Sequence, residues 1–486
     1  MLRSGATAIV IAWSMRVIGL VSVIVLARML TPADFGIVAL AMATLAMADV
    51  FSALGLKQAL LRVREPEREH YDTVWTLQLG VLVFLALIVA ALGPVVAWFY
   101  AEPALAIVIP VLATRFVFFG LANIGVLDFE RELEFGRDLK FRVFVRLTSF
   151  FVTVGAALIL LNYWALVIGA VFQGVVHCLA SYWVHPYRPR FSLARRAEML
   201  GVSVWMFLAS FAQVLHVEIQ RVVVGRVAGF GVLGFYSVSK GLSSIFTEEI
   251  ATALNRVTFV TTARTGEALG ARPERLAAML GAYGLIAAPL GIGLAATSGD
   301  AVMVLLGAQW GEAAPFLELI APAAALYAVF KLIVSSLQAS GKARLAASLS
   351  SAATIGVIAG IGIALMRGGG AIEVAAAVLA VNALVLVGAI ALLAIEERAS
   401  FANLMLAAGR PFAAASLMYL ALGALPPIAA PPFFALVADA AIGAVIYAAS
   451  AAALWLASAR PAGAEALMLA FVRQAIVRPS AQTSDM

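Results

Sequence analysis

The sequence predicts an all-α polytopic membrane protein with about 14 transmembrane helices. Three observations carry that prediction: an apolar composition, a succession of bilayer-length apolar runs, and a one-sided distribution of basic residues. Of 486 residues, 63% are hydrophobic and 12% are charged. A soluble domain has roughly 45–50% apolar and about 25% charged residues. A helix of about 20 apolar residues crosses the hydrocarbon core. Such runs lie near 5–27, 35–57, 73–99, 104–127, 143–161, 163–184, 200–224, 230–257, 274–298, 312–337, 343–366, 371–394, 410–425 and 433–457. The thirteenth is short and edged by proline, so a count of twelve stays open beside fourteen.

Basic residues sort the loops. With the N-terminus inside, the inner segments hold 25 Lys and Arg, whereas the outer loops hold only Arg28, Arg226 and Arg367. Positive charge is retained on the cytoplasmic side, so both termini are expected in the cytoplasm. The net charge of +6 then belongs to inner loops and calls for no nucleic acid. The first run has no small-residue cleavage site before a soluble region and reads as a permanent span. The outer loops, such as "LTPADF", "AEPA" and "MRGGGA", are too short for a catalytic or binding domain. Function is therefore expected inside the helical bundle.

The chain repeats itself. In "VIVLARMLTPADFGIVAL" Arg28 precedes Gly36 by eight residues, and in "VVVGRVAGFGVLGFYSVSKGL" Arg226 precedes Gly234 by eight. The offset between copies is 198 for both pairs. Internal repeats of this kind are common in transporters. They divide the chain into an N-terminal lobe at 1–199, a C-terminal lobe at 200–399, two extra spans at 400–457 and a cytoplasmic tail at 458–486.

Five basic residues fall inside predicted spans: Arg16, Arg115, Arg221, Lys240 and Lys331. A charge at mid-bilayer costs roughly 2.5–3.5 kcal/mol on the insertion scale, so such groups face a cavity or a partner. Arg221 lies near a span end and three residues from Glu218, within reach of a same-helix pair. The other four, two in each half, suggest a basic cavity. Arg offers a bidentate fork and Lys a compact charge for phosphate. Asp49, Glu218, Glu248 and Glu249 are candidates for ion coupling, and Asp49 is also a candidate partner for Arg16. Glu318 and Asp439 are further acids in apolar surroundings.

Enzyme and cofactor readings find little. No GxxxxGK[ST] phosphate loop occurs. The four histidines have no metal-ligand spacing, and the single Cys178 excludes a disulfide within the chain or a cysteine cluster. No metal or cofactor is expected. The segment "DFERELEFGRDLKFRVFVR" at 128–146 sets apolar residues at helical spacing among charges. It reads as an amphipathic helix on the inner surface, with a charged loop as the alternative.

Several stretches resemble a known family: "LARMLTPADFG", "LDFERELEFGRDLKFR" with "NYWALVIGAVFQG", "YRPRFSLARRAEMLGVSVWMFLASF", "VVVGRVAGFGVLGFYSVSKGL", "LLGAQWGEAAPFLELIAP" and "LQASGKARLA". They resemble the polysaccharide-transport branch of the multidrug/oligosaccharidyl-lipid/polysaccharide exporter superfamily, the Wzx-like flippases. They cover residues 20–350, and the last spans carry no specific motif. Gln220 stands where that family often has Asp, which weakens an ion-coupling role there. The resemblance implies two six-helix lobes in a V around a central basic cavity, plus two C-terminal helices. It implies alternating-access movement of an undecaprenyl-diphosphate-linked oligosaccharide across the bacterial inner membrane for lipopolysaccharide, capsule or exopolysaccharide. Its partners would be that lipid, the bilayer, and polysaccharide polymerase and chain-length machinery. On this reading the diphosphate rests on Arg16, Arg115, Lys240 and Lys331, an assignment made from span position and charge. The alternatives are a lipid II flippase and a cation-coupled drug exporter of the same superfamily. A polymerase or ligase would need a large outer loop, which the sequence lacks.

Overall fold

A computed structural model of the chain describes residues 17–458, apart from 53–55, 64, 133, 200–203, 266–272 and 427; at 58, 62, 135, 246–265 and 273 it describes the backbone alone. The described residues form helices and no strand. In a bilayer only helices and closed barrels satisfy every backbone polar group, and this sequence takes the helical solution.

The helices in chain order are α1 (Val17–Ala27), α2 (Pro32–Ser52), α3 (Leu56–Arg62), α4 (Arg68–Tyr100), α5 (Leu105–Leu121), α6 (Asp128–Arg131), α7 (Phe135–Leu160), α8 (Trp164–Val184) and α9 (Arg196–Met199). They continue as α10 (Val204–Thr265), α11 (Pro273–Ala296), α12 (Ser298–Leu305), α13 (Ala314–Ala339), α14 (Ala343–Met366), α15 (Ala371–Glu396), α16 (Phe401–Ala424) and α17 (Pro432–Ala457). Among the described residues, 11 helices are long and apolar enough to cross a membrane, or up to 12 when α5 and its continuation at Ile124–Arg131, bent by 74°, count as one. The expected fourteen is not reached by this measure. The first expected span is described only over Val17–Ala27. The expected spans near 200–224 and 230–257 both fall within α10, which is broken at Gly229.

That helix folds back on itself. Gly229 has φ 82° and ψ 178°, outside helical geometry. Such a φ favours glycine. Tyr236 donates its hydroxyl proton to Gln220 Oε1 at 2.6 Å. Sixteen residues of straight helix would separate these groups by about 24 Å. The chain therefore turns back at Gly229 into two limbs.

The segment 128–146 departs from the expected surface helix. Only α6 stands apart; residues 135–146 are the first turns of α7, which runs on to Leu160. Asp138, Arg142 and Arg146 recur every fourth residue and therefore share one face. Arg137 and Lys140 lie on other faces of the same first turns and are exposed.

The chain divides into two compact units, one of Met1–Val238, Leu306–Trp310 and Leu365–Val374, the other of Ser239–Leu305, Gly311–Ala364 and Ala375–Met486. In the first unit α4 packs on α5, α7 on α8 and α5 on α8. Small residues permit close approach: a methyl group added to Gly169 would meet Thr153 Oγ1 at 1.9 Å. Asp34 opens α2, accepting from the Thr31 and Tyr163 backbone N–H groups at 2.9 Å each. An acid in the first turn also suits the helix dipole.

The segment 185–199 is tied to the start of α4. Buried Asp72 accepts from the Tyr187 hydroxyl and, at 2.7 Å, from the Arg190 N–H. Asn123, also buried, donates to the carbonyls of His185 and Tyr187 at 3.2 and 2.7 Å. Arg195 pairs with Glu67, Glu69 and Glu198. Burial, and then the Asp72 hydrogen bond, pushes the Tyr187 hydroxyl well above its ordinary range.

In the second unit α11 packs on α13 and α16, and α16 on α17. Asn382 donates to the Ala323 carbonyl at 3.1 Å, and the Tyr447 hydroxyl to that of Leu285 at 3.0 Å. Between α13 and α14, Lys342 bridges Glu396 and Glu397 at 3.2 and 2.9 Å. The expected short thirteenth span is longer than its apolar run, because α16 begins at Phe401 and carries Pro411 within it.

Candidate functional site

Arg115 lies on α5 in the first unit, half-buried. Pro110 and the small residues of α5 let α4 approach closely: a methyl group on Gly93 would meet Pro110 Cδ at 2.9 Å. Arg115 Nη1 reaches Met42 Sδ at 3.4 Å, and the guanidinium lies 5.6 Å from the Phe119 ring centroid. A thioether is a weak acceptor, and Nε is buried with no hydrogen-bond partner. Asp49, on α2, acts on Arg115 electrostatically. Asp49 is itself exposed and accepts from the Ser52 hydroxyl at 2.6 Å.

Arg16 lies outside the described residues, so its expected pairing with Asp49 is not described either. Glu248 and Glu249 lie on α10, and their side chains are likewise outside the description. Lys240, on the second limb of α10, and Lys331, on α13, are half-buried members of the second unit. Arg115, Asp49 and Glu218 belong to the first unit.

Glu218 and Arg221 do come together. Arg221 Nη1 lies 2.6 Å from Glu218 Oε2 and 2.8 Å from Oε1. One helical turn separates the two residues, and the Glu218 side chain is only 8% exposed. Gln220, beside them, takes part in packing the limbs: it donates to the His216 carbonyl at 2.7 Å and accepts from Tyr236.

Arg146 was hidden from the sequence reading, which placed it in an inner loop because the charges around it are dense. In the structure it lies in α7, about 16 Å along the axis from the helix start. It is half-buried, and its guanidinium end is close to α1: a methyl group on Gly19 would meet Nη2 at 3.4 Å. His177, on α8, is a second missed residue. Its ring lies 4.9 Å from that of Phe119 and 5.1 Å from that of Phe141, and its Nδ1 is buried without a hydrogen-bond partner. Lys57 and Arg142 act on it electrostatically. The available signal was the fourfold spacing Asp138–Arg142–Arg146, which argues for one polar stripe on a membrane helix. Among the described residues no group of three or more His, Cys, Asp or Glu is placed to hold a metal ion.

Among the described residues of this region, Arg115 Nε and His177 Nδ1 are buried without a hydrogen-bond partner. Comparison with known proteins places the fold. The chain is 25% identical to the lipopolysaccharide biosynthesis protein WzxC of Escherichia coli (strain K12) over 333 residues, 67% of either chain. It is 26% identical to the succinoglycan biosynthesis transport protein ExoT of Rhizobium meliloti (strain 1021), over 88% of this chain and 87% of that one. Among solved structures, the lipid II flippase MurJ in an inward closed conformation superposes with a TM-score of 0.67 at 13% identity, covering 93% of this chain and 99% of that one. At that identity the likeness is one of fold alone. The sequence profile of the polysaccharide biosynthesis protein family matches residues 25–315, well over half of the chain, and the protein belongs to that family.

Proposed function

We propose that this protein moves an undecaprenyl-diphosphate-linked oligosaccharide from the inner to the outer leaflet of a bacterial inner membrane, for lipopolysaccharide, capsule or exopolysaccharide synthesis. Arg115, a guanidinium held inside an apolar helix with donor capacity unused, carries the reading from the structure. A cation at that depth calls for a counter-charge, and a diphosphate head group supplies one while its polyprenyl tail stays in lipid. Family membership and the names of WzxC and ExoT support the same substrate class.

On this reading the two repeats act as lobes at 1–199 and 200–399, with two extra spans at 400–457. Arg16, Arg115, Lys240 and Lys331 contact the head group as it crosses. The protein works as a transporter and breaks no bond in the substrate. Both termini face the cytoplasm, where the excess of Lys and Arg lies. Polymerase and chain-length proteins would take the unit on the outer side.

The test is a strain lacking the gene. Lipid-linked oligosaccharide should accumulate on the inner leaflet while surface polysaccharide is lost, and the intact gene should reverse both. Failure of cell-wall synthesis instead would point to lipid II as the substrate. Raised drug sensitivity alone would point to a drug exporter.

A further inference from the structure

A cavity opens at the turn between α15 and α16, within the second unit. It has a volume of about 430 Å³ and is lined by Ala391, Ala394, Ile395, Arg398, Ala399 and Phe401. Small-molecule sites occupy roughly 300–1,000 Å³. Ala394 and Ile395 follow Ala391 by three and four residues on α15, which puts them on one helical face. Alanine at two of these positions leaves a slot that a longer side chain would fill. Ile395 is 75% exposed and Phe401 44%, so the wall is apolar surface that the protein itself leaves uncovered.

Arg398 is the one cation in this lining. The acids beside it in the chain are already engaged, with Lys342 Nζ 3.2 Å from Glu396 and 2.9 Å from Glu397. Arg398 is exposed, and no carboxylate among the described residues pairs with it. Its backbone is a second anomaly. The Ala399 N–H donates to the Ala394 carbonyl at 2.9 Å, and the Arg398 N–H to that of Ile395 at 3.4 Å. These two bonds make the Schellman ending of a helix, whose left-handed residue is most often glycine. Arg398 occupies that position with φ 50°. Glycine would adopt it without a steric cost, so the turn does not itself account for an arginine. Backbone strain of this kind gathers at ligand clamps.

We propose that this cavity binds an anionic phospholipid of the inner leaflet. The Arg398 guanidinium takes the head-group phosphate through its bidentate fork, and an acyl chain lies along Ala391, Ala394, Ile395 and Phe401. On the orientation proposed above, this turn faces the cytoplasm, where basic pockets between spans meet anionic head groups. A single guanidinium suits the one negative charge of a phosphodiester better than a diphosphate. The site uses none of the four cations assigned to the transported head group.

The experiment uses the full chain in detergent, titrated with dioleoylphosphatidylglycerol, dioleoylphosphatidylcholine or undecaprenyl monophosphate. Native mass spectrometry reads bound lipid, and thermal melting reads stability. The wild-type protein should bind phosphatidylglycerol at least tenfold more tightly than phosphatidylcholine. Arg398→Gln and Arg398→Gly should each lose tenfold or more toward phosphatidylglycerol, and Arg398→Lys should fall between. Ala391→Leu fills the slot and should weaken both phospholipids. Arg367→Gln, at the exposed end of α14, should change nothing. Because glycine suits the left-handed position, Arg398→Gly should melt at or above the wild-type temperature without lipid, where loss of a structural residue would lower it. The same variant should no longer gain stability from phosphatidylglycerol. Wild-type affinity in both Arg398→Gln and Arg398→Gly would overturn the proposal, as would equal binding of the two phospholipids by the wild type. Tighter binding of undecaprenyl monophosphate than of phosphatidylglycerol, lost in the same variants, would assign the cavity to the transported lipid and overturn it too. Each of these outcomes leaves the leaflet-accumulation test of the flippase reading untouched.

Discussion

Gly36 and Gly234 make reciprocal contacts. A methyl group on Gly36 would lie 1.9 Å from the Phe230 carbonyl oxygen, and one on Gly234 would lie 1.8 Å from that of Pro32. Phe230 follows Pro32, and Gly234 follows Gly36, by the same 198 residues. Each copy of the repeat thus sets its glycine against the other copy's turn, as a two-fold relation requires. Gly36→Ala and Gly234→Ala place a side chain into backbone, which has little room to move. Overpacking of this kind costs about 1–3 kcal/mol. Each variant should melt at a lower temperature in detergent. The double variant should cost less than the sum, since both act on one contact. Gly80→Ala, with nothing within 4 Å of the new methyl, should be neutral or better.

Trp310 closes the same region. It is fully buried, its Nε1 donates to the Ala27 carbonyl at 2.7 Å, and the rings of Phe35 and Phe235 stand edge-on to it at 5.2 and 5.8 Å. Trp310→Phe keeps most of the apolar volume and removes one of the two donors to the Ala27 carbonyl, which still accepts from Gln309 Nε2 at 2.5 Å. The expected loss is about 0.5–1.5 kcal/mol, the net worth of one hydrogen bond. Trp310→Ala also opens a cavity and should cost about 3–5 kcal/mol. Thermal melts of the two variants, compared with wild type, separate the hydrogen bond from the packing.

How much of this was legible in the sequence depends on the range of each interaction. The repeat offset, the apolar runs and the Glu218–Arg221 pair are local patterns, and the chain states them outright. The bond from Trp310 to Ala27 joins residues 283 apart, and no periodicity encodes it. Arg146 was misplaced for a different reason. Charge density marked 128–146 as a helix lying on the inner surface, but residues 135–146 are the first turns of α7, which runs on to Leu160. The first span stayed legible only as an apolar run, since Arg16 lies outside the described residues.

The tie between α4 and the 185–199 segment should depend on acid. The Glu198 carboxyl is held below its ordinary range, first by the Arg195 hydrogen bond and then by that of His70. A carboxyl lowered in the folded state stabilises it fully above the unfolded value near about 4.3. That contribution is lost as pH falls through the lower folded value. Limited proteolysis of 185–199 should therefore speed up on going from neutral pH to below about 4, the ordinary range of a glutamate carboxyl. Glu198→Gln should show faster cleavage at neutral pH and a smaller further change in acid. Equal acid sensitivity in wild type and variant would exclude Glu198 as the group responsible.

Glu218 has two candidate roles that a paired substitution separates. As an ion-coupling group it would need to titrate during transport. As the partner of Arg221, 2.6 Å away, it neutralises a half-buried cation. Removing only Arg221 leaves a buried carboxylate uncompensated, a loss of about 3–5 kcal/mol where burial is complete. Replacing both partners with Gln and Met removes the charges together and should cost far less. Arg221→Met alone should lower the melting temperature and the amount of protein in the membrane, and adding Glu218→Gln should restore much of both. Export per folded molecule then decides the role. A double variant that still exports leaves Glu218 as a structural partner. A stable double variant that fails to export, with melting and membrane insertion intact, makes the carboxylate part of the transport step itself.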